Sequence, residues 1–154
     1  MNIFVLSTNP YEAAKLQCDK HVVKMIVECW QMLSTAHHVL LWEWPLKITH
    51  KNHPCTIRAR TSKENYNRLV EHMKWLLFEY TYRYKKTHKY QDLCKFFEEN
   101  QPELPPIGLN KFAQAIPDEF KSSDVVKSYR EFYLATKMHF AKWKYTSTPA
   151  FARV

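Results

Sequence analysis

Between residues 18 and 28 the chain places Cys18, Asp19, Lys20, His21, Lys24 and Glu28. Lys20 and Lys24 could hold a phosphate there while Asp19, His21 or Glu28 moves protons at a reacting centre. The same residues have a plainer use. Lys20, Lys24 and Glu28 are spaced four apart, as surface ion pairs along a helix are. A helix N-terminus attracts anions, but the Asp19 carboxylate would compete for the same amides. Cys18-x-x-His21 together with His50-x-x-His53-x-Cys55 contains enough ligands for tetrahedral zinc. There is no CxxC pair, and Pro54 constrains the second cluster. A buried thiol and hydrogen-bonded histidines explain these residues as well, so neither a metal nor another cofactor is expected.

Two further groups are candidates for contact with nucleic acid. His50, Lys51, His53 and Arg58 fall in a polar, histidine-rich connection, a place where sites tend to lie. Asn65, Arg83 and His88 accompany Tyr66, Tyr80, Tyr82 and Tyr84. Arg83 could hold a phosphate and Tyr80 could stack a base, although an aromatic stripe at helical spacing also serves as core. Lys121, Lys127, Arg130, Lys137, Lys142, Lys144 and Arg153 alternate with aromatic residues near the C-terminus. They could track a phosphate backbone or make a solvated face.

The elements that position these groups read as helices. Val22, Met25, Ile26, Cys29, Leu33, Ala36 and Leu40 recur at three- and four-residue spacing after Asp19, a suitable N-cap. A helix of ~23 residues there runs about 35 Å. Its other side, His21, Lys24, Glu28, Gln31, Thr35 and His38, must be partnered or line a cleft. Asn9-Pro10-Tyr11-Glu12 opens a short helix before it. Pro45 stops the long helix, and Pro54 starts a short turn through Arg58. Thr61-Ser62-Lys63-Glu64 caps a second long helix to about Lys86. Its face is Tyr66, Leu69, Val70, Met73, Leu77, Tyr80 and Tyr84, and Trp75, Phe78 and Tyr82 suggest cover on two sides. A shorter helix over 88–98, a proline-rich loop over 100–110 and a helical turn at 112–116 follow. Ser122 or Ser123 caps a last long helix with Tyr129 and Tyr133 on its face. Residues 2–6 are an extended buried segment. The expected architecture is all-α over 1–154 as a single domain, with three long helices and two or three short ones.

Composition narrows the function. The single glycine, Gly108, excludes glycine-rich phosphate loops. A net charge of +8 favours an anionic partner, DNA or a nucleotide above others. No apolar run is long enough to span a membrane, and the N-terminus lacks the pattern of a signal peptide. The scattered Cys18, Cys29, Cys55 and Cys94 read as reduced thiols of a cytoplasmic protein. A monomer is expected.

The order of segments resembles the small phage pyrimidine-dimer DNA glycosylases of the endonuclease V type. The resemblance rests on the extended N-terminus, the polar helix start, the His53-Pro54 connection, the long aromatic helix, Ile116-Pro117-Asp118-Glu119-Phe120 and the aromatic-basic tail. It implies an all-α protein that flips a damaged base from DNA and cleaves the glycosidic bond through an N-terminal amine beside a glutamate. Asn2 is too large for removal of the initiator methionine, so Met1 is expected to supply the amine. Asp19 or Glu28 is the candidate acid. The strings Cys18–Met25, Ser34–His37, Asn52–Cys55 and His139–Trp143 are similar to small proteins of large DNA viruses, which would place the chain in a host cell. The leading expectation is a DNA-acting glycosylase/lyase or a diverged relative. The alternatives are a non-catalytic binder of nucleic acid or nucleotide, and a protein-interaction module using exposed aromatics such as Trp44 or Trp143.

Overall fold

The computed structural model describes residues 1–41 and 47–153. The expectations on Trp44 and Pro45 lie outside the described residues. The described chain is all-α, with six α-helices, two short 3-10 turns and no strand. The helices are α1 (Pro10–Leu16), α2 (Asp19–Leu41), α3 (Pro54–Ala59), α4 (Lys63–Tyr84), α5 (Gln91–Glu99) and α6 (Val125–Lys137). No described helix is long and apolar enough to cross a membrane.

The central pair is α2 against α4, running antiparallel. At one end Arg83 meets Asp19 at 3.0 Å. At the other, His37 Nε2 and the Tyr66 hydroxyl share a 2.7 Å hydrogen bond. Val22, Met25, Ile26, Cys29, Met32, Leu33 and Ala36 of α2 and Tyr66, Leu69, Val70, Met73, Leu76 and Leu77 of α4 are buried together. Each such large side chain contributes roughly 1.5–3 kcal/mol over leaving it in water, so the 3.6-residue pattern is what makes these segments helices. Phe78 and Tyr82 are 53 % and 44 % exposed. The expected second cover over α4 is therefore absent at those two positions.

Several helix starts follow the expected chemistry, and others are reassigned. Asn9 Oδ1 accepts the Tyr11 and Glu12 amides and opens α1. Ser62, rather than Thr61, caps α4 by accepting the Asn65 amide at 3.1 Å. Asp124, rather than Ser122 or Ser123, caps α6 by accepting the Lys127 amide. Asp19 is the first helical residue of α2, and it is the Cys18 carbonyl that accepts the first free amides, those of His21 and Val22. Residues 112–116 form no helix. The Tyr129 hydroxyl takes over their backbone groups, accepting the Ala115 amide and donating to Ala113 O. Ile3, Phe4, Val5 and Leu6 are buried against α2 and α6 as an irregular segment. Arg130 of α6 holds its end by donating to Leu6 O at 3.0 Å.

Candidate active site

Glu28 lies two turns along α2 from His21, on the side turned to the N-terminal segment. Its side chain is 10 % exposed, and Oε2 lies 3.8 Å from the Met1 nitrogen. The same oxygen accepts the Asn2 amide at 2.7 Å, and Oε1 lies 3.6 Å from Lys24 Nζ. The Met1 side chain is 1 % exposed although the residue as a whole is half-buried. Its accessible surface therefore belongs to the main chain.

Asn2 fixes the geometry. Its Nδ2 donates to Ala115 O at 2.9 Å, and its Oδ1 accepts the amides of Ile3 and Phe4. Phe4 adopts φ +55°, a strained backbone for an aromatic residue. Three contacts hold it there: the Asn2 bond, the Leu6 amide donating to Phe4 O at 2.8 Å, and a stack on His21 with centroids 4.4 Å apart. The chain is thereby turned so that Met1 faces Glu28.

His21 shares a 2.7 Å hydrogen bond with the Tyr133 hydroxyl, which also accepts the Cys18 amide at 2.9 Å. Burial, then the nearby charges of Lys137 and Lys24, push the His21 imidazole down to about 4, so it is neutral at neutral pH. His53 is the N-cap of α3, with Nδ1 accepting the Cys55 amide at 3.1 Å. Burial lowers its pKa, as do the charges of the Met1 amine and His50, while Glu28 acts the other way. Met1, Lys24 and Glu28 are therefore brought together, and His53 lies within reach of the Met1 and Glu28 charges.

The remaining sequence candidates lie elsewhere or are already engaged. Asp19 is nine residues before Glu28, about 14 Å along the helix. Its carboxylate accepts from Arg83 Nη1 and from the Lys144 amide. Arg83 is fully buried, and it also pairs with Glu79 at 2.9 Å and donates to the carbonyls of Gln17 and Lys15. Arg58 is buried with its guanidinium over the Phe112 ring and its donors on Lys111 O and Asn110 O. Asn65 is buried against Arg58 O and Asn110. Tyr80 and His88 pack edge to face at 4.8 Å. Lys20 is exposed with its ammonium over Phe140, and His50 and Lys51 are exposed at the start of the α3 connection. Among the described residues no three His, Cys, Asp or Glu side chains converge as a metal site would. All four cysteines are free and buried.

Sequence reasoning missed Asn2, Phe4, Tyr133 and Ala115 as parts of this arrangement. A residue able to accept its own following amides, directly after the first residue, was the available signal for Asn2.

The model of the family described as pyrimidine dimer DNA glycosylase matches residues 1–92. That stretch carries Met1, Asn2, Lys24, Glu28 and His53. No curated protein and no solved structure matches the chain.

Proposed function

The chain belongs to the pyrimidine dimer DNA glycosylase family, and on that premise we propose that the Met1 amine and the Glu28 carboxylate are its reacting pair. It is a DNA-acting protein of the glycosylase type or a diverged relative of one. The observation that carries the reading is the 3.8 Å approach of Glu28 Oε2 to the Met1 nitrogen in a surround that leaves main chain accessible.

The chemistry follows from what an amine beside a carboxylate can do. Among protein amines the α-amine gives up its proton most readily, roughly two to three pH units below a lysine. Its lone pair attacks C1′ of the damaged nucleotide. The N–C1′ bond to the enzyme forms, and the glycosidic bond breaks with its electron pair leaving on the base. Glu28 takes the proton that the attacking amine sheds and passes it to O4′ as the C1′–O4′ bond breaks; the open sugar is left as an iminium on the Met1 nitrogen, whose positive charge Glu28 offsets. Loss of a proton from C2′ of that iminium then expels the 3′ phosphate, which is the lyase step.

In this reading Lys20, Lys24, His50 and Lys51, all exposed, meet the phosphates. Arg58, Asn65 and Arg83 leave it, because burial and existing partners take their donors off the surface. Asp19 serves the Arg83 network, and neutral His21 serves as the platform under Phe4. His53 feels the charge of the amine and is a cap residue with one ring nitrogen committed to Cys55.

Borohydride trapping tests the reading. The protein, its N-terminus verified by intact mass, is mixed with irradiated, abasic and undamaged duplexes and reduced. We expect an adduct on irradiated and abasic DNA, mapped to Met1. Mapping to a lysine would remove Met1 from the mechanism. No adduct, with salt-sensitive binding to all three duplexes, would favour the non-catalytic binder.

A further inference from the structure

The Tyr129 side chain of α6 is fully buried, and it meets the chain on both sides of Asn2. Its hydroxyl accepts the Ala115 amide at 3.1 Å and donates to Ala113 O at 3.0 Å. The carbonyl of the same Ala115 accepts Asn2 Nδ2 at 2.9 Å. The Tyr129 ring stands edge-on to Phe4, with centroids 6.2 Å apart. Phe4 is the residue whose φ of +55° turns the N-terminal segment. Tyr129 therefore reaches Asn2 by two routes. One runs through the carbonyl that anchors the Asn2 side chain, the other through the ring just beyond it in sequence.

A buried hydroxyl costs free energy unless its bonds are made. Phenylalanine would fill the same ring space without that demand, so what the hydroxyl adds is its two backbone bonds. The groups it binds lie in the stretch 112–116, which has no helix or strand to satisfy them. Gln114 ties the same stretch to Ser122 O at 2.7 Å, while Ala113 and Ala115 lean on Tyr129. Burial, then Cys55, raise the phenol's pKa, and the Ala115 bond acts the other way. The hydroxyl thus keeps the proton it donates to Ala113 O throughout the neutral range. From Ala115 the path to the amine is short. Glu28 Oε2 accepts the Asn2 amide at 2.7 Å and stands 3.8 Å from the Met1 nitrogen. If Ala115 O moves, the Asn2 side chain loses its anchor, and its amide and the amine before it can drift from Glu28.

We propose that Tyr129 is a positioning residue for the reaction: acting through Ala115 and Asn2, its hydroxyl sets the Met1 amine against Glu28. This rests on the reading of Met1 as the reacting amine. Displacing a reacting group by about 1 Å can slow a reaction by ~10²-fold. Loss of one buried hydroxyl on α6 is then felt in the chemistry at the other end of the chain, although Tyr129 itself has no surface to offer a substrate.

The test compares wild type with Tyr129→Phe, Asn2→Leu, the double variant and Tyr66→Phe. Leucine at position 2 is large enough to keep the initiator methionine, and intact mass verifies each N-terminus. Tyr66→Phe removes a buried hydroxyl at the far end of α2 and α4, where it bonds His37 and Phe97 O. It controls for a general loss of stability. Single-turnover borohydride trapping is measured on abasic duplex at saturating protein, together with DNA affinity and the NMR signal of the Asn2 amide. We expect Tyr129→Phe to trap roughly 10–100-fold more slowly with its affinity unchanged. Its Asn2 amide proton should leave the downfield position that a short bond to a carboxylate gives. Asn2→Leu should slow trapping by a similar factor. The double variant should be no slower than Asn2→Leu, as expected of residues acting through one chain of bonds. Tyr66→Phe should trap as wild type does. Wild-type trapping by Tyr129→Phe would overturn the proposal, as would losses that multiply in the double variant or an equal loss in Tyr66→Phe. If Tyr129→Phe does not fold, Asn2→Leu carries the test: slowed trapping at unchanged affinity supports the chain of bonds, and the wild-type rate overturns it. If wild type traps no DNA at all, the amine reading fails. The positioning then stands or falls on whether Tyr129→Phe moves the Asn2 amide signal.

Discussion

Glu28 accepts the Asn2 amide at 2.7 Å through the oxygen that stands 3.8 Å from the Met1 nitrogen. One carboxylate atom thus both fixes the main chain and faces the amine. Glu28→Gln keeps an acceptor for Asn2 but removes the charge. We expect adduct formation to slow by ~10²–10⁴, with the melting temperature almost unchanged. Trapping at the wild-type rate would remove Glu28 from the chemistry.

Arg83 is expected to matter for stability. It joins α1, α2 and α4 through Asp19, Glu79 and two carbonyls, with its own side chain fully buried. Arg83→Ala leaves the nearly buried Glu79 carboxylate without its partner, at a cost of about 3–5 kcal/mol. Urea unfolding at neutral pH measures it. A loss below about 1 kcal/mol, the range of exposed pairs, would contradict the buried network.

Acid should weaken the fold before it protonates most carboxylates. Burial lowers His21 and His37 to about 4 and His72 to about 3, from an ordinary value of 6.5. The unfolded chain therefore binds more protons than the folded one below pH 6.5. Stability is fully present above that pH and declines as pH falls toward 4, by at most about 1.4 kcal/mol per unit for each histidine. Unfolding free energies at several pH values from 7 to 4.5 would show this slope. A flat profile would mean that these rings are not held neutral.

The thiols should be silent in the native protein. Burial raises Cys55 to about 11 and Cys94 to about 12, and it raises Cys29 as well. Titration with a thiol reagent should find almost none in the folded state and all four in denaturant. Rapid reaction of native Cys55, a thiol that feels the charge of the Met1 amine, would show that the N-terminal segment opens.

What could be read from the chain was whatever depends on near neighbours. The helices α2 and α4 follow from apolar spacing, and α1 follows from Asn9 and Pro10. The start of α6 was misplaced because Ser122, Ser123 and Asp124 are all good caps, and only geometry separates them. The turn expected at 112–116 is absent because its backbone finds Tyr129, 14 and 16 residues away. The site suffered in the same way. Glu28 is 26 residues from Asn2 and Ala115 is 113, distances over which residue type carries no positional signal. Arg83 looked like a surface cation for the same reason, since its partner Asp19 lies 64 residues away.

The half-buried Met1, with its side chain packed inside and its main chain left accessible, has a consequence for how the protein comes to be active. On the proposed mechanism a formyl group retained from initiation, or an acetyl group added later, would turn the nucleophile into an amide and leave every core contact in place. Two molecules with the same fold and the same affinity for DNA would then differ in one acyl group, and only one of them would be an enzyme.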